Sequence, residues 1–348
     1  MSQIKENIKI LLEEIGEVSK EEEVVVAFSG GLDSTVVSAL AVRALGKEKV
    51  EAINVNFGEY TYNKSLKNIQ ELSKDLDLKL KIVPGKEEQE RVLKKGPACN
   101  RCTRIAKLGR VKKEAKGRLV LTGSNQSDTW GKKGLKICDG FYAPLLEFNK
   151  EAIREIADYL GIKILSLGEN KFREGCKLKH LLKPLATPCY HGRAVAEANE
   201  LLLSILGQAK YDSRLANVKV VGPLNKNLGL VNISPLPEEK LRKKIIQKLK
   251  EVETLEEIIF LDRPTKLIIK ANKGQFDNQY SRYWLEKGRL QPDFSVPIKV
   301  DWLLTTNKSL ATFQVIDYQI IGQIPHLPVN SYPPPVSTLL GTSKPLEE

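Results

Sequence analysis

Residues 24–45 read VVVAFSGGLDSTVVSALAVRAL, and this stretch decides the fold. The apolar run 24–28 predicts a buried strand of a parallel sheet. Two glycines then predict a tight turn, and the apolar residues after the turn predict a helix. A strand, a glycine turn and a helix in immediate succession are typical of a nucleotide-binding α/β protein.

The turn also has the chemistry of a phosphate site. Glycines let backbone amides approach an anion, hydroxyl groups add donors, and the helix N-terminus contributes the positive end of its dipole. Asp33 is an acid inside this cradle, which a bound Mg²⁺ explains. The loop lacks the lysine of GxxxxGK[ST], so it differs from a kinase-like P-loop. The predicted phosphate ligands are Ser29, Gly30, Gly31, Asp33, Ser34 and Thr35.

Strand and helix patterns alternate on both sides of this turn. Strands are predicted at 51–58, 78–83 and 118–123, with helices at 63–76 and 151–161. This order predicts the fold class α/β, a doubly wound parallel sheet, followed by a second, smaller α+β domain. The predicted divisions are 1–190, 191–273 and a C-terminal extension 274–348 with a Pro-rich end.

Length and composition fit a folded protein of more than one domain. The chain has 348 residues, of which 41% are hydrophobic and 28% charged, and a net charge of +12. No stretch approaches eighteen uninterrupted apolar residues, which excludes a membrane-spanning segment. The first residues are amphipathic and acidic without an apolar signal core, so a cytoplasmic location is expected. Five cysteines without an export signal favour thiols, a metal site or catalysis over disulfides.

The SGGLDST stretch resembles the PP-loop ATP pyrophosphatase superfamily over about residues 20–190. The resemblance implies ATP and Mg²⁺ as cofactors, cleavage to AMP and pyrophosphate, and adenine contacts at Val55 and Phe57. It also implies nucleotide contacts at Gly123 and Asp128, in TGSNQSD after the predicted fourth strand. Ser124 stands where relatives often carry histidine, which excludes a histidine role there. Asp128 either binds metal, orients the adenylate, or belongs only to a polar turn.

Cys99-Asn100-Arg101-Cys102 is a CxxC with three interpretations: a redox pair, half of a zinc site, or cluster ligands. With the lone Cys189, it resembles the iron–sulfur branch of PP-loop sulfurtransferases. This resemblance implies a [4Fe–4S] cluster on Cys99, Cys102 and Cys189, with one iron open to sulfide. The expected catalytic residues are Asp33, Cys102 and Cys189, and a cluster-free persulfide mechanism on Cys102 and Cys189 stays open. Cys138 fits a core position, and Cys176 is a spare or sulfur-relaying thiol.

The segment Arg91–Arg118 contains eleven basic residues and one acid, Glu114. It is either a solvated charged face or a site for phosphate groups. The resemblance to the sulfurtransferases and this basic segment together imply ATP-dependent thiolation of a tRNA base, with a sulfide or persulfide donor. The second domain resembles that of the nickel-pincer cofactor sulfur insertase and the dimerisation domain of GMP synthetase. Insertion of sulfur into a small nucleotide, amide ligation and a homodimer therefore stay open. The expected nucleic-acid ligands are Arg101, Arg104, Lys107 and Arg110.

Overall fold

The computed structural model describes residues 2–127, 134–169 and 175–322 and contains three β-sheets in this part of the chain. No helix within these ranges is both long and apolar enough to cross a bilayer. The first sheet belongs to the N-terminal half and carries the glycine turn. The other two sheets follow it along the chain.

The first sheet has six strands, mostly parallel, as the alternating sequence pattern predicts. Its order is β3-β2-β1-β4-β6-β5. The bounds are β1 (Val24–Ala27), β2 (Val50–Asn56), β3 (Lys79–Pro84), β4 (Leu119–Leu121), β5 (Ile137–Cys138) and β6 (Phe141–Tyr142).

Helices cover both faces of this sheet. They are α1 (Ser2–Ser19), α2 (Leu32–Leu45), α3 (Asn63–Asp75), α4 (Lys86–Leu93), α5 (Cys99–Cys102), α6 (Gly109–Ala115) and α7 (Lys150–Tyr159). Alternate residues of β1 face opposite layers: Val24 and Val26 join the core with α1, α2 and α7, whereas Val25 packs with α6. A strand buried on both faces is continuously apolar, which is why 24–28 has no polar alternation.

The strand order reverses between β1 and β4. The chain builds β2 and β3 on one side of β1 and places β4 on the other, with all four strands parallel. The loops after β1 and β4 therefore leave the sheet at the same edge. In open α/β sheets ligands bind in the crevice at such a reversal, outside the carboxyl ends of the strands. The glycine turn lies at this crevice.

The second sheet contains β7 (Leu215–Val221), β8 (Leu228–Ser234) and β9 (Glu257–Phe260), in the order β7-β8-β9. The first two strands are antiparallel, which confirms the predicted hairpin-like pair. The helices α8 (Arg193–Gln208) and α9 (Glu239–Leu249) share a hydrophobic core with this sheet.

The third sheet has the order β11-β10-β12, with β10 (Thr265–Ala271), β11 (Ile298–Leu304) and β12 (Phe313–Ile320). The helices α10 (Lys273–Asp277) and α11 (Gln279–Leu285) lie between β10 and β11 along the chain. Because β10 pairs with both later strands, the expected division at residue 273 cuts through a sheet. The boundary between the second and the third sheet instead lies before residue 265, where β10 begins.

Candidate active site

The glycine turn forms a compact loop whose own hydrogen bonds fix its shape. The Ser29 backbone amide donates to Ser34 Oγ at 3.2 Å, and the two serine hydroxyls lie 3.0 Å apart. Thr35 Oγ1 donates to the Gly31 carbonyl at 2.8 Å. Gly30 has φ +73°, and a Cβ there would lie 2.6 Å from Ile69 Cγ1, so the position requires glycine.

The loop after β4 rests directly on this turn. A Cβ on Gly123 would lie 2.8 Å from both Asp33 Cβ and the Ser34 backbone nitrogen. The two predicted nucleotide segments are therefore in contact, at the reversal of strand order. Asp128, the other residue predicted in the second segment, lies outside the described residues.

Lys150 is a functional candidate that the sequence analysis missed. Its ammonium forms an ion pair with Asp33 Oδ2, although 117 residues separate the two. Asn149 fixes its place by capping α7, accepting a bond from the Ala152 amide at 2.9 Å. A lysine at the first position of a helix is unfavourable, because its positive charge lies at the positive end of the helix dipole. This unfavourable position is the feature of the sequence that could have identified Lys150.

The second carboxylate oxygen of Asp33 has no partner within the described part of the chain. Asp33 Oδ1 is buried and makes no hydrogen bond there. An unpaired carboxylate oxygen beside a phosphate-binding turn fits a magnesium ligand, because Mg²⁺ is commonly held by one or two carboxylates and by substrate phosphates. Asp33 therefore fits the predicted ion through Oδ1, with Oδ2 held by Lys150.

Val55 and Phe57 lie at the end of β2, beside Gly85. A Cβ on Gly85 would lie 2.3 Å from Val55 Cγ1 and 3.0 Å from Phe57 Cε1, so both side chains pack against the residue that follows β3. Val55 is half-buried, whereas Phe57 is only 3% exposed and lies in the same hydrophobic core as Cys102. The adenine contacts at these two positions stay a prediction.

Two cysteines meet at Gln89 of α4, the helix that follows β3, two strands away from β1. Gln89 Nε2 lies 3.7 Å from Cys102 Sγ and 3.4 Å from Cys176 Sγ. Next to it, Glu90 Oε1 accepts a 2.7 Å bond from the Tyr60 hydroxyl. The segment that contains Cys189 reaches the same hydroxyl, because a Cβ on Gly192 would lie 2.4 Å from Tyr60 Oη. Cys138 lies apart, in β5.

Two π-helical segments lie at the cysteines. Thr103–Leu108 follows the CxxC directly, and Pro188–Gly192 contains Cys189. Such wide turns occur frequently at functional sites. His191 lies in the second of them, but both of its ring nitrogens are engaged, with the Thr187 amide and the Leu224 carbonyl. The cysteines of the two segments are free thiols, whereas this histidine is held by hydrogen bonds.

The thiols do not fit the expected iron–sulfur cluster in this arrangement. Within the described residues, no three cysteine, histidine or acidic side chains converge closely enough to hold a metal ion. Cys102 is buried and faces Cys176, whereas Cys99 and Cys189 are exposed. The structure thus groups Cys102 with Cys176, not with Cys99 and Cys189 as the sequence analysis expected.

The four predicted nucleic-acid ligands are not equivalent. Arg101 and Arg104 are exposed on the helix that carries the CxxC. Lys107 lies 5.9 Å from the centre of the Phe57 ring, and Arg110 pairs with Glu114 at 3.2 Å. The freely accessible positive charge beside the thiols is therefore that of Arg101 and Arg104.

Comparisons with known proteins concern the N-terminal half. Residues 3–164 match the NAD synthase family. The chain is similar to the NH(3)-dependent NAD(+) synthetase of Pyrococcus furiosus, with 31% identity over 162 residues, covering 44% of this chain and 62% of that protein. It thus spans less than two thirds of that relative's length.

Two shorter similarities involve synthetases that use glutamine, according to their names. The glutamine-dependent NAD(+) synthetase of Thermotoga maritima is 40% identical over 63 residues, covering 18% of this chain and 11% of that protein. The glutamine-hydrolysing GMP synthase of Nitratidesulfovibrio vulgaris is 39% identical over 84 residues, covering 24% and 16%. Together with the six-stranded sheet, these matches support the PP-loop ATP pyrophosphatase superfamily. They do not include a sulfurtransferase.

Replacement of Lys150 tests its role in the crevice. We expect Lys150→Met to lower turnover of ATP about 100-fold, as removal of one preorganised charge at a reacting centre does. Without the ammonium, Asp33 loses the group that orients Oδ2. Steady-state formation of AMP measures the effect, and the exposed Lys163→Met is the control. Equal turnover in the two variants would exclude a role for Lys150.

Proposed function

We propose, from the PP-loop character of residues 3–164, that the chain is an enzyme that converts ATP to AMP and pyrophosphate while adenylating an acceptor. The observation that supports this proposal most is the state of the Asp33 carboxylate. Lys150 holds one of its oxygens, and the other is buried without a partner among the described residues. The carboxylate lies against the loop after β4. A carboxylate in this state beside backbone amides suits a nucleotide with its metal ion.

The residues around Asp33 supply the chemistry of this step. An acceptor oxygen attacks the α-phosphorus of ATP, and the bond to pyrophosphate breaks. The amides of the glycine turn and the N-terminus of α2 stabilise the charge that develops on pyrophosphate. Asp33 Oδ1 would hold Mg²⁺, which would supply positive charge to neutralise the phosphates. The Lys150 ammonium orients the carboxylate through Oδ2.

Nitrogen is the first candidate for the nucleophile that displaces AMP. The similar proteins form NAD(+) or GMP and use ammonia or glutamine, according to their names. An amide-forming ligase needs no thiols, so this candidate rests on the N-terminal half alone. The acceptor is then a carboxylate or carbonyl oxygen of a nucleotide.

Sulfur is the second candidate, favoured by the thiols around α4. Cys102 and Cys176 share one amide donor, and the segment that contains Cys189 contacts Tyr60 through Gly192. The terminal sulfur of a persulfide, delivered to one of these thiols by a persulfide donor, would attack the adenylated carbon and displace AMP. A second thiol would then attack the inner sulfur, release the thiolated product and leave a disulfide between the two cysteines. Because the described thiols do not converge on a metal ion, this candidate uses thiol chemistry without an iron–sulfur cluster.

The nucleotide products test the shared first step. We expect AMP and pyrophosphate, and we expect Asp33→Asn to reduce their formation by at least about 100-fold, because the amide cannot replace a charged metal ligand. The exposed Asp75→Asn is the matched control. Phosphorus NMR of the reaction mixture identifies the products. ADP and phosphate as the products would contradict the proposal.

Replacement of the cysteines distinguishes nitrogen from sulfur as the nucleophile. An ammonia ligase should keep ammonium-dependent AMP formation when Cys102 or Cys176 becomes serine, since nitrogen reaches the adenylate from solution. We expect this result with the acid precursor of NAD(+) and ammonium as substrates. The assay measures AMP and the amide product together. If both variants instead lose turnover while the fold, followed by circular dichroism, is intact, sulfur transfer is the better assignment.

RNA is the acceptor to test with the second candidate. Exposed Arg101 and Arg104 lie on the cysteine-bearing helix, where they could contact phosphates. We expect tRNA binding to weaken steeply with salt, and Arg101→Ala with Arg104→Ala to flatten the logarithmic salt slope by about one unit for each phosphate that is no longer neutralised. Filter binding over a range of salt concentrations measures this slope. Lys240→Ala with Lys244→Ala, on α9, is the charge-matched control, and identical slopes would exclude a role for the two arginines in RNA binding.

A further inference from the structure

The sulfurs of Cys102 and Cys176 are brought together by one side chain. Gln89 lies between them with its amide nitrogen 3.7 Å from Cys102 Sγ and 3.4 Å from Cys176 Sγ. Gln89 is 1% exposed, and its Oε1 has no hydrogen-bond partner among the described residues. One buried amide group therefore lies within hydrogen-bonding distance of both sulfurs and fixes their positions relative to each other.

Gln89 links Cys102 to Cys176, and not to Cys99, its neighbour in the CxxC. Burial, followed by the negative charge of Cys176, raises the pKa of Cys102 to about 11. Cys99 has a smaller effect in the same direction, and Lys107 and Gln89 act in the opposite one. Cys99 is exposed at the start of α5, whereas Cys102 is 5% exposed and faces the core. The geometry thus separates the two cysteines that the sequence pattern pairs.

We propose that Cys102 and Cys176 form a reversible disulfide, with Gln89 as the residue that positions both sulfurs. The oxidant is a small disulfide compound such as oxidised glutathione. This site goes beyond the proposed function, because it concerns the thiols alone and does not require ATP.

The exchange proceeds in two displacements. The half-buried Cys176, as thiolate, attacks one sulfur of the small disulfide, which forms a mixed disulfide and releases one small thiolate. Cys102, as thiolate, then attacks the Cys176 sulfur, forms the Cys102–Cys176 bond and releases the second small thiolate. The two protons given up by the cysteines pass to the two released thiolates. The protein pair loses two electrons, and the small disulfide gains them.

Disulfide mapping on the full chain tests the pairing. The protein is equilibrated with reduced and oxidised glutathione at about pH 8 until the disulfide content no longer changes, because burial raises the pKa of Cys102 to about 11 and leaves little of it as the attacking thiolate. It is then blocked with N-ethylmaleimide, digested with pepsin and examined by mass spectrometry. We expect a Cys102–Cys176 linkage in the unchanged protein and in Cys99→Ser and Cys138→Ser. The linkage should be absent in Cys176→Ser, which should form mixed disulfides with glutathione only at exposed cysteines.

The rate of the reaction tests the part played by Gln89. Without its amide, the attacking thiolate loses a hydrogen-bond donor, and disulfide formation should be about tenfold slower in Gln89→Leu. Cys99→Ser should react at the unchanged rate. A Cys99–Cys102 linkage, or no internal linkage under oxidising conditions, would overturn the proposed pair. An unchanged rate in folded Gln89→Leu would overturn the positioning role. None of these outcomes depends on whether ATP is cleaved.

Discussion

The contact between the loops after β1 and β4 is the constraint on which the site depends. A Cβ at position 123 would collide with Asp33 and with the Ser34 amide, so the loops can approach this closely only through glycine. The contact exists because β4 lies beside β1 although more than ninety residues separate them in the chain. It closes one end of the crevice and leaves the amides of the turn and the Asp33 carboxylate as its polar lining.

The position of Asp33 at this contact also explains the role of Lys150. A carboxylate that faces a phosphate site repels its ligand unless a cation accompanies it. Lys150 supplies one cation from the protein, on Oδ2, and leaves Oδ1 for another. The sequence places this lysine far from the glycine turn, at the start of α7. The fold brings it back because α7 packs against α1 and α2 on one face of the first sheet.

The sequence patterns predicted those elements that depend on interactions between residues close together in the chain. The continuous apolar strand β1, the glycine turn and α2 follow from residues that are neighbours in sequence, and the structure agrees with each of them. Contacts over long separations were not predictable in this way. The CxxC suggested Cys99 as the partner of Cys102, but burial of Cys102 against Cys176 is a consequence of how the segment after α7 folds back. Likewise, TKLIIKA identifies a strand, whereas its partners, β11 and β12, come later in the chain.

The π-helical turns next to the cysteines also constrain how the chain length can vary. A π-turn contains one residue more than an α-turn, and each residue of an α-helix rotates by about 100° about the axis. Removal of a single residue from Thr103–Leu108 would therefore restore α-geometry and keep the direction of Cys102 relative to α6. Removal of a second residue would rotate Cys102 by about 100° relative to α6 and move its sulfur away from Gln89. The segment between the CxxC and α6 thus tolerates the loss of one residue, but not of two, if this sulfur is to keep its direction.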